Sequence, residues 1–167
     1  KKDFEADDII ASYVRYGEEN NIPTTVFSSD KDLFQLLSAN TRIMDPMKNV
    51  EIDEAKVMGK FGVGPDKITD VQALIGDSVD NIPGVPGIGP KTAAKLINEF
   101  GNFEKLLANK DQIANVRIKN LIHDHVESAK ISHQLVILKN DLDLPIQIEE
   151  LKAFDDSPKL NDFFKKY

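Results

Sequence analysis

The sequence has no cysteine among its 167 residues. Disulfide bonds and thiolate metal sites are therefore excluded, and the composition agrees with a reducing cytoplasm. It also has no run of 18 apolar residues, about the length that a membrane-spanning helix needs, and no signal-peptide pattern. Hydrophobic residues make up 41% and charged residues 29% of the chain, as in a globular protein of one domain with or without a small appendage. We expect no membrane partner.

The chain also lacks a starting methionine, since it opens on Lys1-Lys-Asp-Phe4 shortly before a predicted helix. We therefore expect a fragment of a longer protein. Its net charge of −7 argues at first against nucleic acid. The charge is unevenly distributed, however, because residues 83–120 contain six basic and three acidic residues. An acidic body with a basic segment is compatible with a metal site beside a phosphate-binding surface.

Proline and glycine are concentrated between Pro83 and Pro90, which contain three of each. The prolines exclude a continuous helix, and Pro90 stands where a new helix would begin. The glycines permit positive φ and close approach of another backbone. We predict a helix–hairpin–helix turn whose N–H groups from Ile88 to Lys91 bind a phosphate at a helix N-terminus. The predicted contact residues are Gly84, Gly87, Gly89, Lys91, Thr92 and Lys95. The alternative is a tight connection that binds nothing.

Seven acids form three clusters, each at the junction of a predicted element and a loop: Glu5, Asp7 and Asp8; Asp30 and Asp32; Asp77 and Asp80. The first cluster begins a helix, and the second follows the predicted strand Thr24–Phe27 at the strand end where α/β folds place their sites. Helix capping alone explains acids at each of these positions. If the clusters converge instead, they suit Mg²⁺ or Mn²⁺, and two such ions can hydrolyse a phosphodiester.

The remaining pattern predicts an α/β chain. We expect strands at 41–44 and 50–52, helices at 53–61, 64–75 and 90–100, and a helical stretch from Val116 to Leu138 in one or two pieces. Leu135–Leu138 with the alternating residues up to Ile148 is interpreted as a strand at the sheet edge. The three histidines lack the spacing of metal ligands and are interpreted as packing or surface residues.

Three stretches resemble the signatures of the structure-specific 5′-nuclease (flap endonuclease) family: Glu5-Ala-Asp-Asp8, Asp30-Lys-Asp32, and Gly76 to Ala93. The bacterial branch, which includes the amino-terminal 5′→3′ exonuclease domain of DNA polymerase I, is the most similar. The resemblance runs from about Phe4 to about Ile146. It implies the carboxy-terminal part of a PIN-like α/β sheet with a mostly helical helix–three-turn–helix module, and cleavage of DNA at 5′ flaps and 5′ ends in replication and repair.

The resemblance also implies ligands. Glu5, Asp7 and Asp8 would serve the more catalytic of two divalent ions (Mg²⁺ or Mn²⁺), Asp30 would lie near both, and Asp32, Asp77 and Asp80 would favour the second. A monovalent ion such as K⁺ would bind backbone carbonyls in the hairpin, at Pro83, Val85 and Ile88, and bridge them to a DNA phosphate. The family's further acids and its helical arch lie upstream and are not in this chain.

From these expectations the chain divides into the remaining nuclease core (1–62), the DNA-binding module (63–125), and a helical return that packs on the core (126–167). The missing amino-terminal part of the domain and a fused polymerase are expected partners, and a bacterial cytoplasm with nucleoid association is the expected location. Two alternatives stay open: a sequence-independent DNA-binding fragment without catalysis, and a PIN-like metal hydrolase that acts on RNA.

Overall fold

A computed structural model describes residues 4–151 and 157–166, in which an α/β half precedes a helical half. The helices are α1 (Ala6–Glu19), α2 (Glu54–Phe61), α3 (Ile68–Ile75), α4 (Pro90–Phe100), α5 (Phe103–Ala108), α6 (Val116–Asp124), α7 (Val126–Val136) and α8 (Ser157–Lys166). The strands are β1 (Thr24–Phe27), β2 (Thr41–Asp45) and β3 (Val50–Ile52). Short 3-10 helices span Asp32–Leu36, Pro65–Lys67, Lys110–Gln112 and Ile148–Glu150. None of the described helices has the length and apolar character required to cross a bilayer.

The sheet has three strands in the order β1-β2-β3 within the described residues. β1 and β2 run parallel, with Val26 opposite Ile43, and β3 returns antiparallel to β2 as a hairpin, with Ile43 opposite Ile52. Ile43 is completely buried, and α1 and the 3-10 helix at Asp32 pack on this half of the chain. The parallel pair places the end of β1 beside the chain segment that contains Asp30 and Asp32.

Several element boundaries agree with their sequence signals. Asp53 caps α2 by accepting the Lys56 N–H at 2.8 Å, and Gly62 ends it with a φ of 73°. Asn102 caps α5 in the same way through the Lys105 N–H, at 2.9 Å. Pro90 is the first residue of α4, as predicted. The predicted helix 64–75 is shorter than expected, because a 3-10 turn replaces its first turn after Gly64, and a further 3-10 helix follows Asp30.

The predicted edge strand at 135–148 is wrong. Leu135 and Val136 belong to α7, and residues 137–147 form no strand. The backbone of this segment bonds to side chains of α1: the Lys139 N–H donates to Asp8 Oδ1 (2.9 Å), and the Leu142 N–H donates to Ser12 Oγ (3.2 Å). Because the backbone groups are satisfied there, the alternating apolar residues need no sheet partner.

The helical half is organised around α3, which packs against both α4 and α7. Its apolar residues Ile68, Val71 and Leu74 are completely buried and share one core with Ile97 of α4 and Ile122 of α6. The same core continues into the sheet half through Leu33, Phe34 and Ile43. The two halves therefore form one hydrophobic unit.

A buried polar group links three of these helices. Asp70 of α3 is 7% exposed; its Oδ2 accepts the Phe103 N–H at the start of α5 (3.2 Å), and its Oδ1 lies 3.1 Å from His133 Nε2 of α7. The His133 ring stacks on Phe103 with the centroids 4.3 Å apart. His133 is thus a packing residue, as the spacing of the histidines predicted.

We predict that Asp70→Ala lowers the free energy of unfolding by about 1–3 kcal/mol, because it leaves the buried Phe103 N–H without its acceptor. Denaturant unfolding followed by circular dichroism measures the change. Asp111→Ala is the matched control: Asp111 forms a similar contact with His123 (2.9 Å), but its side chain is 81% exposed. A comparable loss in both variants would contradict a special role for the buried group.

Candidate active site

Five of the seven predicted acids line one cavity of about 290 Å³. They come from the start of α1, the segment after β1, and the loop that follows α3. The acidic lining of this cavity consists of Glu5, Asp7, Asp30, Asp32 and Asp80. Its apolar lining consists of Ile82, Leu135, Val136 and Leu138. We call this space the acidic cavity.

Local hydrogen bonds fix the acids that follow β1. The Asp30 N–H donates to Ser28 Oγ, and Asp30 Oδ1 accepts the Asp32 N–H, both at 3.0 Å. Asp32 Oδ1 accepts from Gln72 Nε2 of α3, so the helical half holds a carboxylate of the sheet half. Asp30 therefore accepts the first N–H of the following 3-10 helix, whose N-cap residue is Lys31, and it also lines the acidic cavity.

The loop that contains Asp80 is closed by paired backbone bonds between Asp77 and Ile82. The Asp77 N–H donates to Ile82 O at 2.9 Å, and the Ile82 N–H donates to Asp77 O at 2.7 Å. Gly76, with a φ of 74°, begins this loop where a Cβ would lie 2.6 Å from Ile82 O. The tight closure directs Asp80 to the acidic cavity and leads the chain straight into the hairpin.

Crowding of like charges shows in the pKa values of the acidic cavity. Burial raises the pKa of Asp7, and the neighbouring charges of Asp30, Glu5, Asp32 and Asp8 raise it further. Burial also raises the pKa of Asp32, against the opposing hydrogen bond from Gln72 and the charge of Lys31. A cation in the cavity would relieve both effects, because opposite charge favours the ionised carboxylates.

Asp8 and Asp77 do not line the acidic cavity. Asp8 accepts the Glu5 N–H (3.3 Å) and the Lys139 N–H (2.9 Å), so it caps α1 and holds the segment after α7. Asp77 Oδ2 forms an ion pair with Lys31, and its Oδ1 accepts the Val79 N–H at 2.8 Å. The Lys31 hydrogen bond lowers the pKa of Asp77.

The donor chemistry of the cavity fits a hard divalent cation, since carboxylate oxygens are the ligands that Mg²⁺ and Mn²⁺ prefer. In the part of the chain that the structure describes, no three His, Asp or Glu side chains stand together as a ready-made metal centre. The acids line one cavity, but no three of these carboxylate groups are arranged around a common point. Cation binding therefore requires carboxylate side chains to move closer together.

The hairpin between α3 and α4 is hydrogen-bonded to α7. The Gly84 N–H donates to Ser132 Oγ, and Ser128 Oγ donates to Gly84 O, both at 2.8 Å. The Val85 N–H donates to Leu74 O at 2.8 Å. The side chains of Val85 and Ile88 are buried in the core. These contacts attach the turn rigidly to two helices.

The hairpin glycines serve different purposes. Gly84 (φ 61°) and Gly87 (φ 89°) require positive φ, as predicted, whereas Gly89 has an extended backbone (φ −96°, ψ 175°). Gly84 is buried and both its backbone groups are paired, so it shapes the turn and is not available to a ligand. At Gly89 an added Cβ would meet no atom within 4 Å. The protein itself thus does not require glycine there.

The surface that the hairpin presents is smaller than the sequence suggested. The Ile88 N–H donates to Val85 O at 3.0 Å, and Pro90 has no N–H. Among the described residues, the N–H groups of Gly89 and Lys91 have no acceptor. The exposed Lys91 and Lys95 and the half-buried Thr92 lie on the first turns of α4 beside them. This corner has the features of a phosphate site at a helix N-terminus.

Sequence reasoning missed the residues that support the site. Lys31 lies between two of the predicted acids and could have been noticed from that position. Ser128 and Ser132 stand four residues apart on one face of α7, a weaker signal. Nothing in the sequence pattern indicated that Gln72 bonds to Asp32, or that the end of α7 closes the acidic cavity.

Comparison with known proteins agrees with this architecture. Residues 1–62 match the family model "5′-3′ exonuclease, N-terminal resolvase-like domain", and residues 63–159 match "5′-3′ exonuclease, C-terminal SAM fold". DNA polymerase I of Rhizobium leguminosarum is 45% identical over 163 residues, 97% of this chain and 16% of that protein. The 5′-3′ exonuclease of Aquifex aeolicus is 37% identical over 163 residues, 98% of this chain and 54% of that protein.

Solved structures give the same result. A mutant of the T5 5′-exonuclease superimposes with a TM-score of 0.73 at 25% identity, over 81% of this chain and 56% of that one. A T5 5′-exonuclease described as bound to divalent metal ions (zinc) gives a TM-score of 0.71 at 26% identity, over 81% and 51%. The chain therefore belongs to the 5′-3′ exonuclease family. It spans about half of the free-standing exonuclease and less than a fifth of the polymerases that it matches.

We predict that Gly84→Ala destabilises the protein by about 1–3 kcal/mol or more, because its φ of 61° is strained for an L side chain and the new Cβ would lie 2.5 Å from Gly76 N. Thermal unfolding measures the change. Gly89→Ala is the matched control in the same hairpin and should leave the melting temperature unchanged. Equal melting temperatures of Gly84→Ala and the unchanged chain would contradict the described turn.

Proposed function

We propose that this chain contains part of a two-metal, structure-specific 5′ nuclease that acts on DNA at 5′ ends and 5′ flaps in replication and repair. The observation that supports this most strongly is the acidic cavity, where three separated acidic motifs converge in a chain of the 5′-3′ exonuclease family. Helix capping alone explains an acid at each position, but it does not explain why the three motifs line one cavity. The bacterial cytoplasm with nucleoid association remains the expected location.

The residues divide the work as follows. Glu5 and Asp7 would hold one cation, Asp30 would lie between the two, and Asp32 and Asp80 would hold the second, with Asp77 joining once it separates from Lys31. Asp8 would also serve the first cation, and in the described structure its oxygens accept the N–H groups of Glu5 and Lys139. When bound, two divalent ions of this kind activate a water molecule and stabilise the leaving oxygen of a phosphodiester. The apolar lining from Leu135, Val136 and Leu138 limits the access of bulk water on one side.

The hairpin would hold the duplex part of the DNA. The N–H groups of Gly89 and Lys91, with Lys91, Thr92 and Lys95, would contact backbone phosphates, and Gly87 would let the strand approach. We also propose a K⁺-type ion at the backbone carbonyls of Pro83, Val85 and Ile88. Such contacts carry no sequence information, so binding should depend on salt and not on base sequence.

A DNA-binding fragment without catalysis is the second candidate. Its support is the length of the match: about half of the exonuclease of Aquifex aeolicus lies outside it. The part of that exonuclease outside the match would then supply the remaining ligands and position the 5′ end. A fused polymerase, as in the relatives named DNA polymerase I, is a further proposed partner.

We predict that Gly89→Val weakens binding to a 5′-flap duplex about tenfold or more while leaving the melting temperature unchanged. A Cβ at this position meets no protein atom within 4 Å, and it would lie in the space that a phosphate would occupy. Fluorescence anisotropy at two salt concentrations measures the affinity. Gly59→Val on the exposed face of α2, where a Cβ also meets no atom within 4 Å, is the matched control. Unchanged affinity in Gly89→Val would contradict the proposed phosphate site at the N–H groups of Gly89 and Lys91.

Cleavage is tested in a chimaera in which residues 1–167 replace the matched segment of the Aquifex aeolicus exonuclease. We predict Mg²⁺-dependent cleavage of a 5′-labelled flap duplex by the chimaera, its loss in Asp30→Ala, and very slow or no cleavage by residues 1–167 alone. Errors near 1 Å in such sites can cost about 100-fold in rate. A folded chimaera that binds the flap but never cuts it would favour the non-catalytic alternative. A matched RNA flap distinguishes a ribonuclease.

A further inference from the structure

Gln72 lies where the two halves of the protein meet at the acidic cavity. It belongs to α3, is only 8% exposed, and donates through Nε2 to Asp32 Oδ1. Burial raises the pKa of Asp32, and the hydrogen bond from the Gln72 amide lowers it. A side chain of the helical half thus fixes the orientation of a carboxylate that follows β1.

The other end of the same amide has no hydrogen bond. Gln72 Oε1 is buried and has no partner among the described residues. Leaving a buried acceptor unsatisfied is costly, so such an atom calls for an explanation. Gln72 lines a second cavity of about 230 Å³ together with Lys31 and Asp77 and with apolar residues such as Phe61 and Ile75.

Lys31 is the one ammonium group in the lining of this second cavity, as far as the described residues go. It forms an ion pair with Asp77 Oδ2, and its side chain is 37% exposed, compared with 16% for Asp77. Lysine has a flexible stem and three donors, so its ammonium can exchange acceptors within one cavity. Gln72 and Lys31 therefore line the same cavity, and Gln72 carries a buried acceptor without a donor while Lys31 carries a flexible donor.

We propose that Gln72 and Lys31 are positioning residues for the cation-binding carboxylates. Gln72 holds Asp32 through its amide N–H, and its Oε1 receives the Lys31 ammonium when a divalent cation takes the Asp77 carboxylate. This inference rests on the proposed metal site. In the absence of metal, Lys31 serves as the counter-ion of Asp77. Once a divalent cation neutralises Asp77, the Lys31 ammonium exchanges Asp77 for Gln72 Oε1 as its acceptor. We call this exchange the handover; it also satisfies the buried oxygen.

The test is a double-mutant cycle on Mn²⁺ binding to residues 1–167, measured by calorimetry in the unchanged chain, Gln72→Met, Lys31→Met and the double variant. Methionine keeps the length and volume of either side chain. We expect Gln72→Met to weaken Mn²⁺ binding about tenfold, the usual scale for a residue that orients a ligand. In the Lys31→Met background the same change should cost about threefold, because only the Asp32 contact is then lost.

The stability of the metal-free chain should show weaker coupling, because Gln72 and Lys31 share no hydrogen bond there and act together only on Asp32. Lys31→Met should lower the metal-free melting temperature through loss of the Asp77 ion pair, and should strengthen Mn²⁺ binding. Gln112→Met, which changes an exposed glutamine that donates to Asn109, and Lys130→Met, which removes the exposed pair with Glu127, are the controls. Both should leave Mn²⁺ binding unchanged.

The outcomes separate the two levels of proposal. No Mn²⁺ binding by the unchanged chain would contradict the metal site itself. Binding that Gln72→Met weakens equally in both backgrounds would overturn the handover, and binding that Gln72→Met does not weaken would also overturn the positioning of Asp32. Should Gln72→Met fail to fold, a crystal structure of the Mn²⁺-loaded chain decides. The proposal requires Lys31 Nζ within hydrogen-bond distance of Gln72 Oε1, and an intact Lys31–Asp77 pair would overturn it.

Discussion

Mutual repulsion of carboxylates is the constraint on which the structure of the site depends. Folding brings Glu5, Asp7, Asp30, Asp32 and Asp80 to one cavity, although like charges at close range oppose ionisation. The hydrophobic core that joins the two halves supplies the free energy that holds them there, since Val71 and Leu74 of α3 are buried with Leu33 and Ile43 of the sheet half. Such a charge cluster has a clear use if it binds a cation.

The hairpin would present backbone N–H groups to an anion, and its contacts with α7 and with the core fix its shape. Ser128 and Ser132 of α7 satisfy the backbone of Gly84, while Val85 and Ile88 anchor the turn in the core. The turn leaves the N–H groups of Gly87, Gly89 and Lys91 without acceptors among the described residues. The short loop through Asp80 connects the hairpin to the acidic cavity. Metal chemistry and DNA binding would therefore be held at a fixed distance.

Much of this could be predicted from local sequence. Capping residues such as Asp53 and Asn102, and Pro90 at the start of α4, act within a few residues, so their signals are visible in the chain. The acidic motifs were also found, and the structure brings five of the seven residues together. Periodicity failed after α7, because the N–H groups of Lys139 and Leu142 bond to side chains of α1 about 130 residues earlier. The Lys31–Asp77 and Gln72–Asp32 contacts likewise join distant residues, and no local pattern encodes them.

The central claim is that these carboxylates bind a divalent cation together, and Mn²⁺-dependent thermal unfolding of residues 1–167 tests it most directly. A ligand that binds only the folded chain raises the melting temperature. We predict a rise at millimolar Mn²⁺ or Mg²⁺ that is largely lost in Asp80→Asn and retained in Asp124→Asn, which removes an equal charge from the exposed end of α6. An equal rise in both variants, or none in the unchanged chain, would contradict a shared metal site.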